Sequence, residues 1–498
     1  MWFGARLLGR LVSVVMVSAC ASNPITLDEE GSSGTGGSTG PVGVDTMVDP
    51  PAPGTTAMGT VPGGDVSSGS GDDATADSGG PDCEDCRGKV DLLIVVDNSG
   101  TMGEEQAILA RTFPQLISRL ENLTDSTGAP VEADVHIMVT TSDFGNPLCT
   151  PFQPEGYEPS QGQPISSPCT VRLDDFDNLS GTLSLPEVCE DVCPWNAQPS
   201  APFIAFDGNS NNVGDVPESD IDGDGIPDSP VAQALACIGP QGINGCGYEA
   251  PLENMLQALN PGAAWNSGAT PFLRPDALLA LVIVTDEADC SVADFAVMDN
   301  PEFQEVNPQT GMQTWSSAIC WNAGVDCGPP VDGVFPDCTS TSDDGLQPVS
   351  RYTSFIDDLR DNQGKEVVML GILGVPVVTE HNVNAPFEPT AGGVADLVYR
   401  QWIDGQYPVG DILPDEFGNG ITAAYKQWEF GIGPGCTGQD GQGGFTGQAI
   451  PPLRVREVCD SLDSDGGVHC CLESICDSDF APAIDCLAGM ISQTIEPE

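Results

Sequence analysis

Val90-Asp91-Leu92-Leu93-Ile94-Val95-Val96-Asp97-Asn98-Ser99-Gly100-Thr101 is the stretch that decides the fold of this chain of 498 residues. Its first seven residues form a nearly unbroken run of β-branched and apolar side chains. That pattern marks a strand buried on both faces. The polar residues from Asp97 onward end the strand. Ala107 to Leu123 then repeats at helical spacing, with Ile108, Leu109, Phe113, Leu116, Ile117 and Leu120 on one side. Val135 to Thr140, Ala277 to Thr285 and Glu366 to Leu373 read as further strands, and Glu249 to Leu259 and Arg351 to Arg360 as helices. Strands alternating with helices predict an α/β fold, a doubly wound and mostly parallel sheet covered on both faces. In such sheets ligands bind at the carboxyl ends of the strands. Asp97, Asp143 and Asp286 come after the first, second and third of these strands and stand at that end.

The regular elements are widely spaced. Three long, irregular, Cys-rich insertions are expected near residues 144–245, 288–348 and 376–450, within a folded unit spanning 83–498. Ahead of it, Arg6 and Arg10 precede the apolar run Leu11–Val17, which is too short to cross a bilayer and the right length for a secretory signal. The run ends in Val17-Ser18-Ala19-Cys20, similar to the lipobox of bacterial lipoproteins, in which Cys20 carries the lipid. Residues 1–19 are therefore expected to be a signal peptide. Residues 20–82, dominated by Gly, Ser, Thr, Pro and Asp, are expected to be a tether with too little apolar surface to fold. Ala21, rather than Asp, after the lipidated residue leans toward an outer-membrane destination.

Cysteine usage agrees with export. Setting Cys20 apart from the 19 cysteines leaves an even set, as an oxidising compartment favours. Cys83-Glu84-Asp85-Cys86 reads as a structural disulfide, and the vicinal Cys470 and Cys471 as pairing with two different partners. The charge is extreme, with 74 acidic against 15 basic residues and a net charge of -59. Such a surface repels nucleic acid and anionic headgroups, which leaves the lipid anchor as the one expected link to a membrane. It attracts divalent cations.

Asp97-Asn98-Ser99-Gly100-Thr101 offers a carboxylate and two hydroxyls spaced two residues apart, oxygen ligands suited to a hard divalent cation. The loop resembles the DxSxS signature of von Willebrand factor A domains, with Thr101 in place of the last Ser. Val282-Ile283-Val284-Thr285-Asp286-Glu287 resembles that family's T-D-G turn, with Glu287 where the Gly would stand. Leu453 to Ile491 resembles its closing module, with a helix, Gly466-Gly467, a short strand and a last helix. The resemblance implies a MIDAS-like site holding Mg2+ or Ca2+ through Asp97, Ser99, Thr101 and Asp286. The family's further Thr has no counterpart in Gly245-Cys246-Gly247-Tyr248-Glu249. Glu249 is the substitute candidate, read either as an oxygen ligand or as the cap of the helix that follows.

A second ion loop is suggested by Asp220-Ile221-Asp222-Gly223-Asp224-Gly225-Ile226-Pro227-Asp228. Carboxylates at relative positions 1, 3, 5 and 9, a Gly at 6 and the Ile226 carbonyl make the front half of a calcium loop. Val231 replaces the closing bidentate Glu, so the pattern resembles an extracellular calcium repeat rather than an EF-hand. Ca2+ there is expected to order the insertion; the alternative is a solvated acidic loop.

These readings point to a lipid-anchored envelope or cell-surface protein, not an enzyme, that binds a protein ligand when the ligand's carboxylate completes the ion's coordination. The alternatives are an architectural envelope protein and a metal-dependent hydrolase. Catalysis has little support: the three His residues stand at 136, 381 and 469, no HExxH occurs, and no GxSxG nucleophile elbow follows a strand.

Overall fold

The computed structural model describes residues 88–495 apart from 180, 342–344 and 440–444. The signal segment, Cys20, the tether and the Cys83–Cys86 pair lie outside the described residues. Strands β1 (Lys89–Val96), β2 (Asp134–Thr141), β3 (Ile204–Asp207), β4 (Leu278–Val284), β5 (Val367–Leu373) and β6 (Cys470–Ser474) form one sheet. Their order is β6-β5-β4-β1-β2-β3. All neighbours run parallel except β3, which is antiparallel to β2.

The apolar run of β1 is explained by this position. Successive side chains of a strand point to opposite faces, and both faces of β1 are covered. Leu92, Ile94 and Val96 pack with Leu109, Phe113 and Ile117 of α1 (Gly103–Glu121), Leu235 of α2 (Pro230–Ile238) and Leu487 of α6 (Ala481–Thr494). Leu93 and Val95 pack on the other side with Met255 of α3 (Pro251–Ala258), Ile356 of α4 (Ser350–Asp357) and Val458 of α5 (Leu453–Asp460). Each such side chain contributes roughly 1.5–3 kcal/mol on burial. The molecule is thus an α/β fold with a mainly parallel sheet between two helical layers, compatible with a Rossmann-like arrangement.

The stretch expected to be irregular, 144–245, holds two elements of this framework. β3 closes the sheet edge and α2 packs on α1. Neither shows in the sequence as a long periodic run: β3 has four residues, and α2 is nearly all buried, so its apolar positions have no polar face to alternate with. All sixteen described cysteines pair, as 149–246, 169–189, 193–237, 290–320, 327–338, 436–476, 459–470 and 471–486. The vicinal pair does take two partners, Cys459 and Cys486. No helix among the described residues is long and apolar enough to cross a membrane.

The amino end of the sheet holds a buried ionic cluster. Asp91, fully buried within β1, accepts from the Arg274 side chain at 2.7 Å and lies 3.5 Å from Lys365 Nζ. On β2, opposite Asp91, His136 stacks on Phe203 and its Nδ1 faces the Phe272 carbonyl at 3.4 Å. Burial, and then the Arg274 charge, lower the His136 pKa from 6.5 to about 4. A depressed folded value means the unfolded chain takes up this proton first. The contribution of neutral His136 is therefore complete above pH 6.5 and lost as pH falls through about 4. At ~1.4 kcal/mol per pH unit the loss amounts to up to ~3 kcal/mol. His136→Phe should flatten this part of the acid limb in denaturant unfolding followed from pH 7 to 4. An unchanged limb would assign the loss to other groups.

Candidate metal centre

The strand ends bring the candidate residues to one level. Asp97 N donates to the Val284 carbonyl at 2.9 Å, Ser142 N to Val96 at 3.2 Å and Thr285 N to Ile372 at 3.2 Å. The residues after β1, β2 and β4 therefore leave the sheet side by side. The chain runs from β1 to β2 on one side of β1, and later returns to β4 on the other. The carboxyl end of β1 and β4 is thus the switch point at which open α/β sheets hold ligands.

Asp97 is fully buried. Its Oδ1 accepts from Ser99 N at 2.8 Å and its Oδ2 from the Thr285 hydroxyl at 2.5 Å. The Ser99 and Thr101 hydroxyls are 3.3 Å apart. Asp97, Ser99 and Thr101 are thus linked in sequence through the Ser99 amide and the two hydroxyls, and the Asp97 charge acts on Asp286 beside them. Gln106 clamps the loop from α1, donating to the Asp97 carbonyl at 2.9 Å and the Gly242 carbonyl at 2.8 Å. It also accepts from the Gln241 and Gly242 amides.

Glu249 joins this group. It precedes Ala250, the residue that leads into α3, and α3 has no side-chain cap. The Glu249 carboxylate makes no hydrogen bond to the first turn of α3; its Oε2 accepts from Ser142, and the Asp97 charge acts on it. Oε1 of Glu249 and Oδ1 of Asp286 are buried without a hydrogen-bond partner. Glu249 is 0% exposed and Asp286 7%. Among the described residues no Arg, Lys or His pairs with Asp97, Glu249 or Asp286.

The electrostatic result is uniform. Burial raises the Asp97 pKa against the lowering hydrogen bonds of Thr285 and Ser99. Burial, followed by the Asp97 charge, lifts Glu249 well above the usual range and Asp286 to about 7. Glu287, 5% exposed, is lifted by burial and by Asp286; its nearest cation is Lys426, which pairs with Glu416 and Glu429. Two neighbouring acids complete the surroundings, Glu105, which had no sequence assignment, and Asp143, which the sequence placed at this end of the sheet. Glu105, in the first turn of α1, is raised by burial and then by Asp286, and its Oε2 is unpartnered. Asp143 is held by Gly145 N and the Gln153 amide. The adjacent acids Glu104 and Glu105, one turn after Thr101, were the available signal for the first.

Buried carboxylates in this number are neutralised by protons or by a cation. The donor set, hard oxygen atoms only, fits Mg2+, Ca2+ or Mn2+ and not a soft metal. The carboxylate oxygens are spread, with the hydroxyls between them. The one trio of carboxylates among the described residues whose oxygens all lie within 4.8 Å is Asp220, Asp222 and Asp224.

That trio sits in the loop singled out by its acidic spacing. Asp220 accepts from the Gly223 and Gly225 amides, Asp222 from Asp224 N, and Asp224 from Ile226 N. Gly225, at the sixth position, has φ of 88°, the turn that only glycine adopts readily. Asp228 is engaged otherwise: its Oδ2 accepts from Ile221 N at 2.6 Å, closing the loop, and burial raises its pKa to about 6. No family model matches this chain, and neither the curated proteins nor the solved structures include a match to it.

Proposed function

We propose that this is an exported, lipid-anchored envelope protein whose folded unit is a von Willebrand factor A-like domain holding a divalent cation, Mg2+ or Ca2+, at the carboxyl end of its sheet. Asp97, Ser99, Thr101 and Asp286 would hold the ion, with Glu249, which stands in the segment where the family has its Thr, as a further oxygen ligand. The observation that carries this reading is the burial of Asp97, Asp286 and Glu249 at one end of the sheet, acting on one another by charge, with two buried oxygens unpartnered and no positive side chain paired with them among the described residues. The ion turns an acidic face, which would repel a carboxylate, into a receptor for one. The partner is accordingly a protein that supplies a carboxylate, reached from the Thr101 side, where Gly100 and Thr101 are half-buried. Full pairing of the described cysteines supports an oxidising compartment. Capture of partners from envelope extract tests the reading: binding should require divalent ions and disappear in Asp97→Ala. Binding retained in chelator would remove this mechanism.

A second reading, an architectural envelope protein, is favoured by one observation, the near-complete burial of Asp97, Ser99 and Glu249. Capture that fails equally with and without divalent ions would select it.

We propose separately that the Asp220–Asp228 loop holds Ca2+ through Asp220, Asp222, Asp224 and the Ile226 carbonyl, with Asp228 closing the loop. Its exposure and the missing twelfth-position Glu place it with weak extracellular sites, Kd about 10⁻⁴–10⁻³ M. Calcium titration should then resolve two sites in the wild-type protein and one in Asp222→Ala, with the sheet-end site kept. Two sites in Asp222→Ala would exclude the loop.

A further inference from the structure

The sheet-end site is closed in a way that its motif does not imply. Asp97 and Glu249 are fully buried and Ser99 nearly so. Two segments shut it. The Gly245-Cys246-Gly247 loop lies directly on the motif: Gly245 N donates to the Asn98 carbonyl at 2.7 Å, and a Cβ on Gly245 would stand 2.3 Å from Asn98 Oδ1. Cys246 N donates to Asp143 at 3.1 Å, and its disulfide to Cys149 fixes this loop to the segment after β2. From the other side Ile450 N donates to the Asp286 carbonyl at 2.7 Å, and Gly447 comes within 4.0 Å of the Glu105 carboxylate for a Cβ placed there.

Three carboxylates reach this enclosure from outside the motif loop and the turn after β4: Glu105 of α1 stands by Asp286, Asp143 is taken up by the Gly145 and Cys246 amides and the Gln153 side chain, and Glu249 is the one of the three that faces Asp97 most strongly. Ser142 fixes its Oε2, and Oε1 remains buried and unpartnered beside Asp97. A side chain so placed presents to the ion what a partner would present, a single carboxylate oxygen. We infer that Glu249 is an internal ligand that fills the coordination position of the partner's carboxylate, so that the site as folded is a closed state which a partner, or a movement of the 245–247 loop, must open.

This rests on the proposed cation at Asp97, and the two can fail separately. Mn2+ takes the same oxygen ligands, and a bound Mn2+ that keeps an exchangeable water strongly enhances water-proton relaxation. The measurement is made on the full chain in the Asp222→Ala background, so that the acidic loop does not contribute. With Glu249 present, bound Mn2+ should give a low enhancement that acetate leaves unchanged. In Glu249→Ala the enhancement should rise at least twofold and fall again on adding acetate, which takes the opened position. Glu249→Gln, which preserves shape, provides the same comparison should the Ala variant not fold, and is expected to rise as well. Equal enhancement with and without the Glu249 carboxylate, or strong acetate sensitivity in its presence, would overturn the internal-ligand role while leaving the ion in place. Absence of bound Mn2+ in all variants would overturn the cation reading itself.

Discussion

Asp91→Ala is expected to lower the unfolding free energy by about 3–5 kcal/mol, the largest single-residue effect in the molecule, because it strands two buried cations. Asp91 Oδ2 accepts from Arg274 N at 2.7 Å and its Oδ1 from Arg274 Nε at 2.7 Å. Lys365, almost fully buried, directs its ammonium to the Arg274 and Ala277 carbonyls, at 2.5 Å each, and toward Asp91. Arg274 is also tied to Asp134 at 2.6 Å. Burial raises the Asp91 pKa more than Arg274 and Lys365 lower it, as expected where the desolvation of a buried ion network offsets its internal attraction. Its cost appears when one member is removed. Denaturant unfolding with disulfides intact measures it. A triple replacement, Asp91→Leu with Arg274→Met and Lys365→Met, should lose far less than Asp91→Ala, since apolar groups of similar volume replace a whole buried network at little cost. A loss under ~1 kcal/mol for Asp91→Ala would mean that water reaches the cluster.

The second large effect is ion-linked stability. At neutral pH the wild-type protein should gain about 2.7 kcal/mol when Mg2+ or Ca2+ is raised to a hundred times its Kd, by mass action on the folded state. In Asp97→Ala this gain should vanish, because the carboxylate held in place by Ser99 and Thr285 is gone. The comparison belongs in the Asp222→Ala background, so that the acidic loop does not add its own linkage. Unfolding midpoints followed against free ion concentration measure it. A wild-type midpoint that ignores both ions would leave protons, not metal, as the agents that neutralise Asp97, Glu249 and Asp286.

Much of the framework was legible because β1, β2, β4 and β5 are central strands. Burial on both faces forces an unbroken apolar run, and such a run is visible without knowing its neighbours. The same logic concealed Asp91. A single acid inside an apolar run reads as an interruption of a strand, and only the arrival of Arg274 and Lys365 from distant segments shows that it is neutralised in place. β3 escaped for the opposite reason. Four residues at a sheet edge have too few alternations to stand out, and their pairing is set by β2.

At the sheet end, the positions of Asp97, Ser99, Thr101 and Asp286 followed from local order, a loop after a strand, and the structure brings them together. Glu249 was open between cap and ligand. The direction of that side chain is set by Ser142, just past β2, beside a loop held by a disulfide between residues 97 apart in sequence. The sequence by itself determined the central strands and the longer periodic helices, and which acids end those strands, because periodicity and chain direction are local properties. Only the tertiary structure decided how many carboxylates meet and whether solvent reaches them. Convergence and burial are properties of contacts between segments remote along the chain, and no spacing within one segment records them.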